Sequence, residues 1–180
     1  MKGENIHIRF LTLEDAGAKL KLERDNRVFF EESSMTRYSD FYTLLIQEEI
    51  IKMAAQLKDR DQGFYYGIFK NDTGELIGLI SLFHISRGAL QNAFLGYALD
   101  ERHNSKGYTT EAVNLVVKYA FQKLELHRIE AGVMPRNIAS IRVLEKAGFH
   151  KEGIAIKNVE INGKWEDHQV MAIINPRDMK

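Results

Sequence analysis

The sequence predicts a single mixed α+β domain, residues 1–180, of seven strands and four helices. Three observations predict it. The chain has 180 residues, 44% of them hydrophobic, which suits one sizeable core and not two. Its apolar periodicity switches repeatedly between two and about 3.6 residues. Turn-forming clusters punctuate the short apolar runs, and no linker, repeat or low-complexity stretch divides the chain.

Each element has a local reason. Ile6, Ile8 and Phe10 alternate with His7 and Arg9, as in a half-buried strand. Thr12, with Asp15 three residues later, opens a helix that runs to about Asn26. Residues 33–41, SSMTRYSDF, read as a loop. Residues 43–60 read as a second helix with Leu44, Leu45, Ile50, Ile51, Met53, Ala54 and Leu57 as its apolar positions. A three-stranded meander follows: 64–69, then 75–85 after the turn cluster 71–74, then 92–99 after a break at Arg87 and Gly88. Residues 110–126 have helical spacing and 128–134 form a strand. Residues 138–147 form a short helix closed by Gly148. The chain finishes as a hairpin turning at Asn162-Gly163.

Composition removes several function classes. Lys and Arg together number 25, as do Asp and Glu. A zero balance argues against a direct nucleic-acid partner, which needs a basic surplus. There is no cysteine, hence no disulfide, thiolate zinc site or cysteine nucleophile, and no metal is expected. The start, MKGENIHIRF, lacks the apolar core of a signal peptide, and no apolar run is long enough to cross a bilayer. The expectation is a soluble, cytoplasmic domain with no membrane partner.

Two segments carry chemistry. In LDERHNSKGYTTEA (99–112) a strand enters a short polar loop with one glycine and then a helix. Such a loop and first helical turn leave backbone N–H groups free at the positive end of the helix dipole, which suits a pyrophosphate. Gly107 would let the backbone approach a ligand, and Lys106 adds a cation. The same residues also describe an ordinary strand–helix connection. In PRNIASIRVLEKAGF (135–149), Asn137 can cap the helix, and Ser140 and Leu144 share a face.

Together these segments resemble the GCN5-related N-acetyltransferase (GNAT) superfamily, and within it the RimJ/RimL-type ribosomal-protein N-terminal acetyltransferases. The resemblance spans nearly the whole chain: IRFLTLEDA, ELIGLISL, LGYALDERHNSKGYTTEAV, KLELHRIEAGVMPRNIASIRVLEKAGFHKEG and NGKWEDHQVMAI. It implies a central, mostly antiparallel sheet with one splayed parallel pair, 96–99 against 130–134. Acetyl-CoA is the implied co-substrate, with pantetheine in the splay on the backbone of Tyr97 and Leu99. Its phosphates would lie on Asn104, Ser105, Lys106, Gly107, Tyr108 and Thr109, with Asn137 and Ser140 near the pantetheine arm. Of the family's phosphate-loop pattern, only the central glycine, Gly107, is matched.

The resemblance also implies the chemistry. Transfer to an amine needs a neutral nucleophile, donors for the developing oxyanion and help for the departing thiolate. Where many members place a tyrosine acid, this chain has Leu144, so Ser140 is the candidate to assist the thiol. The glutamate that many Rim-type sequences carry before the fourth-strand Gly-Tyr is missing from residues 93–96. Glu160 is then the candidate base, although its register is one residue off. His84, His103 and His168 are read as surface or edge histidines, and Asp167 as a structural hydrogen-bonder. The implied acceptor is a primary amine on a protein N-terminus. Polyamine, aminoglycoside or other small-amine acceptors stay open, as do a homodimer and a non-catalytic acetyl-CoA-binding module.

Overall fold

A computed structural model describes residues 1–35 and 37–178. Thr36, one position of the 33–41 loop, and Met179 and Lys180 lie outside the described residues. One seven-stranded sheet organises the molecule. In chain order its strands are β1 (Ile6–Phe10), β2 (Gly63–Lys70), β3 (Leu76–Ser86), β4 (Asn92–Leu99), β5 (Arg128–Val133), β6 (His150–Ile161) and β7 (Lys164–Ile174). Their spatial order is β1-β2-β3-β4-β5-β7-β6. Every neighbouring pair is antiparallel except β4 and β5.

Five α-helices pack on this sheet, one more than the sequence suggests: α1 (Ala16–Asp25), α2 (Arg27–Glu31), α3 (Leu44–Asp59), α4 (Tyr108–Gln122) and α5 (Ile138–Lys146). The additional helix is α2, split from α1 at Asn26. The Asn26 Nδ2 donates to the Leu22 carbonyl, and its Oδ1 accepts from the Glu101 amide at 3.0 Å. A side chain that bonds nearby backbone competes with helix continuation. Here it also ties the α1–α2 corner to the loop after β4.

Strand alternation assigns the two faces. Ile68, Ile77, Ile80 and Leu82 join the core under α4 and α5, with Val113, Val116, Ala120, Ile141 and Leu144. Their neighbours Phe69 and Leu76 point the other way, to Leu22 of α1 and Phe30 of α2. The α3 helix departs from the sequence expectation. Leu44, Leu45 and Met53 are exposed, whereas Gln47 is fully buried.

The parallel pair is short. Asn92, Ala93 and Phe94 oppose Arg128, Ile129 and Glu130, and pairing stops there. β4 runs on to Leu99 along β3, and β5 runs on to Val133 along β7. Residues 95–99 and 131–133 therefore face one another across an open wedge. This is the splayed pair that the sequence anticipates.

Candidate active site

After β4 the chain makes a loop whose backbone amides are left open. Ser105 and Gly107 both have left-handed backbone, φ +62° and +84°. Gly107 is the N-cap of α4, and its carbonyl accepts from the Glu111 amide. α4 thus starts two residues earlier than its apolar spacing suggests. Among the described residues, none of the six amide N–H groups from Ser105 to Thr110 donates to a protein acceptor. Six consecutive free donors at the positive end of a fifteen-residue helix are an arrangement that suits an anion. A β-carbon on Gly107 would meet no protein atom within 4 Å, so the space beside it is open to a ligand.

The loop is anchored from below. Asp100 is buried and accepts from the Arg102 backbone and guanidinium. The Arg102 hydrogen bond holds the Asp100 carboxyl below the usual range. Lys106 bends back to donate to the Arg102 carbonyl at 2.9 Å, so its ammonium is held on the loop. Asn104 is exposed and Tyr108 and Thr109 half-buried. The Leu99 side chain lies in the core, leaving only its backbone for the wedge.

The second segment meets β4 across the wedge. Asn137 caps α5, its Oδ1 accepting from the Ser140 amide at 3.1 Å. That commits one of its two polar atoms to the helix. The Tyr97 hydroxyl lies 2.7 Å from the Ser140 Oγ and donates to the Ser140 carbonyl at 3.2 Å. Burial pushes the Tyr97 phenol up to about 12, partly offset by the Ser140 hydrogen bond. It therefore stays protonated at neutral pH. Leu144 is wholly buried in the core, which explains why this helix position holds no acid here. The sequence assigns Tyr97 only a backbone role, and no local signal reveals its contact with Ser140, forty-three residues away.

On the α1–α3 side of β4 lies a cavity of about 600 Å³. Gly96, Tyr97 and Ala98 form its β4 wall, and Ile50, Met53 and Leu57 of α3 form much of its apolar lining. The apolar positions of α3 are thus spent partly on a cavity. Lys19 and Glu23, nearly fully buried, also reach the wall. Nothing in the sequence singled them out, because an i,i+4 Lys–Glu pair is what a solvated helix face looks like.

The remaining candidates sit elsewhere. Glu160 is exposed on β6 opposite Trp165 and does not line the cavity. Its hairpin does reach α2, where the Asn162 amide donates to the Glu31 carbonyl at 2.7 Å. His168 is buried on β7, contrary to the surface reading, because it packs over Gly132 of neighbouring β5, which has no side chain to hold it off. Its Nδ1 lies 3.2 Å from the Glu166 carbonyl. Asp167 accepts from the Lys157 amide at 2.8 Å and pins the irregular stretch of β6, a structural role. Among the described residues, no group of three or more His, Asp or Glu side chains is placed to hold a metal ion. None of the described helices is long and apolar enough to cross a membrane.

Comparison with known proteins identifies the arrangement. Residues 5–150 match the model of the acetyltransferase (GNAT) domain. This chain belongs to the GNAT acetyltransferases. It is an acyltransferase of the N-acetyltransferase type. It is 58% identical over 178 residues to the probable N-acetyltransferase YjcK of Bacillus subtilis, covering 99% of this chain and 98% of that one. Among solved structures, the ribosomal-protein-S5-alanine acetyltransferase of Vibrio fischeri superposes with a TM-score of 0.93 at 31% identity, covering 100% and 98% of the two chains. RimJ of Mycobacterium smegmatis, in complex with CoA-disulfide, superposes with a TM-score of 0.91 at 25% identity, covering 97% and 84%. In this GNAT chain, then, the splayed wedge, the amide cradle and the cavity are parts of one acetyltransferase scaffold.

Proposed function

We propose that this GNAT chain transfers an acetyl group from acetyl-CoA to a primary amine, the α-amino group of a protein N-terminus. One observation carries the reading. The β4 segment Gly96–Ala98 has no partner on its β5 side, forms a wall of the cavity, and holds Ser140 through Tyr97. A ligand along the wedge and an acceptor in the cavity would meet at this segment. The relatives named for ribosomal-protein acetylation support the choice of acceptor.

The residues fit the co-substrate. The free amides of residues 105–110 suit a pyrophosphate, and the backbone of Tyr97 and Leu99 on the open edge suits an amide-bearing arm. Acetyl-CoA supplies the acetyl group as a thioester. The transfer forms an N–C bond and breaks a C–S bond, and the proton lost by the amine balances the one gained by the thiol. The phenol of Tyr97 has one proton, and when it lies on the Ser140 Oγ rather than on the Ser140 carbonyl, the Ser140 O–H is free to donate toward a departing sulfur. A serine hydroxyl is a weak acid, so its role is to stabilise a thiolate. Glu160 is the candidate to take the amine's proton, acting through water because it stands off the cavity wall.

The test is direct. The protein is incubated with acetyl-CoA and short peptides with free or blocked N-termini, and products are located by tandem mass spectrometry. Acetylation on the free α-amine is expected, with none on blocked peptides. Acetylation only of small amines or lysine side chains would contradict the acceptor assignment. CoA binding without any turnover would make the chain a non-catalytic module.

A further inference from the structure

The cavity beside β4 is not electrically balanced. In a chain of zero formal charge, its wall carries three cations, Lys19, Arg37 and Lys58, and one carboxylate, Glu23. Lys58 has an exposed partner in Asp59, 3.5 Å away. The other three groups form a buried cluster. The Glu23 side chain is 2% exposed and that of Lys19 is 7% exposed, with 3.5 Å between their charged atoms. Arg37 pairs with the second Glu23 oxygen. Lys19 also donates to the Gln47 Oε1, and the Gln47 amide donates to the Phe41 carbonyl. Both cations lie over the Phe41 ring, Arg37 at 4.4 Å and Lys19 at 5.6 Å from its centroid.

Within this largely apolar enclosure one carboxylate thus serves two cations; Glu31, off the wall, is bonded to Arg27 and Tyr42 and reaches Arg37 only at longer range. A buried charge without full compensation is costly, and the cost is relieved by a counter-charge. Burial itself pushes the Lys19 ammonium down, with Glu23 opposing. The wall would repel a polycationic acceptor. It would also disfavour the charged form of an incoming ammonium, which helps the neutral amine that must attack.

We propose that the cavity selects acceptors bearing a carboxylate close to the reacting amine, read by Arg37 and Lys19: peptides with an acidic residue at or next to the N-terminus. A cavity of about 600 Å³ has room for the first two residues. The inference rests on the acetyl-transfer reading and names the acceptor class for it.

The test uses three peptides identical except for Glu, Gln or Lys at the second position. The expected kcat/KM order is Glu, then Gln, then Lys, with Glu ahead of Gln by about tenfold, as one charge-assisted contact provides. Arg37→Gln should bring the Glu-to-Gln ratio to within about twofold, while Arg37→Lys, which keeps the charge but loses the planar stack on Phe41, should retain part of it. A second readout needs no turnover. The N-acetylated Glu peptide should raise the melting temperature of the wild type more than the Gln peptide does, and lose that advantage in Arg37→Gln. Equal rates and shifts for Glu and Gln, a preference for Lys, or an unchanged ratio in Arg37→Gln would overturn the proposal. If no peptide is acetylated while CoA still stabilises the protein, the transfer reading fails instead. The melting comparison then decides the charge preference alone.

Discussion

The two halves of the site are built from different material. The half proposed to hold acetyl-CoA, from the end of β4 through the start of α4, is made of backbone: two left-handed residues, six free amides and an unpaired strand edge. The half proposed to take the acceptor, under α1 and α3, is made of side chains: an apolar wall and the buried Lys19–Glu23 pair, with Arg37 beside it and Gln47 beneath. A backbone site leaves marks that sequence patterns register, such as a lone glycine between a strand and a helix. A side-chain site is assembled by tertiary packing from residues that look ordinary where they stand. The half shared by chemistry is therefore legible, and the half that sets specificity is largely hidden.

Gly107 gives the largest expected effect on co-substrate binding. It needs φ +84° and has open space where a β-carbon would go. Gly107→Val should weaken CoA binding at least about tenfold by calorimetry, since one or two charge-assisted hydrogen bonds are lost. Gly88, at φ +67° with equally open surroundings, lies far along the chain from the cradle. Gly88→Val supplies a comparable backbone strain and should leave CoA affinity unchanged. Equal affinities in both variants would reduce the loop to a connector and erase the contrast between the halves.

Glu160 gives the smallest expected effect. It is exposed, off the cavity wall and without a hydrogen bond to Tyr97 or Ser140. A base acting through solvent is replaceable by buffer or water, so Glu160→Gln should change kcat/KM by no more than about threefold. A loss near a hundredfold would sharpen the comparison differently, by extending the catalytic machinery to the β6–β7 hairpin.

How much was legible follows the same division. Every strand is found near its sequence position, because alternation and turn residues such as Asn162-Gly163 are local signals. The splay follows from the resemblance and reappears as pairing that ends at Phe94 and Glu130. The end of α1 at Asn26 is legible, whereas α2 beyond it is not, because that corner is tied by Asn26 to Glu101, seventy-five residues away. The apolar positions of α3 include Leu44 and Leu45, yet the helix exposes both, buries Gln47 and lends Ile50 and Met53 to a cavity. Apolar spacing shows that a face is sheltered and cannot show whether it is filled. The Tyr97–Ser140 contact joins residues forty-three apart, and only the tertiary arrangement brings them together.

The central claim is that the two halves meet at that contact, with Tyr97 positioning Ser140 for the departing thiol. A double-mutant cycle on kcat tests it most directly. Ser140→Ala should lower kcat about tenfold to a hundredfold with little change in the KM for acetyl-CoA, the worth of one hydrogen bond to a charged group. Tyr97→Phe should lower kcat by about tenfold, through Ser140. Because the phenol titrates only at about 12, the pH profile should keep its shape up to about pH 10 in that variant. The double variant should be no slower than Ser140→Ala alone. Losses that multiply, or a raised KM with kcat intact, would contradict the account and leave Ser140 as a ground-state contact.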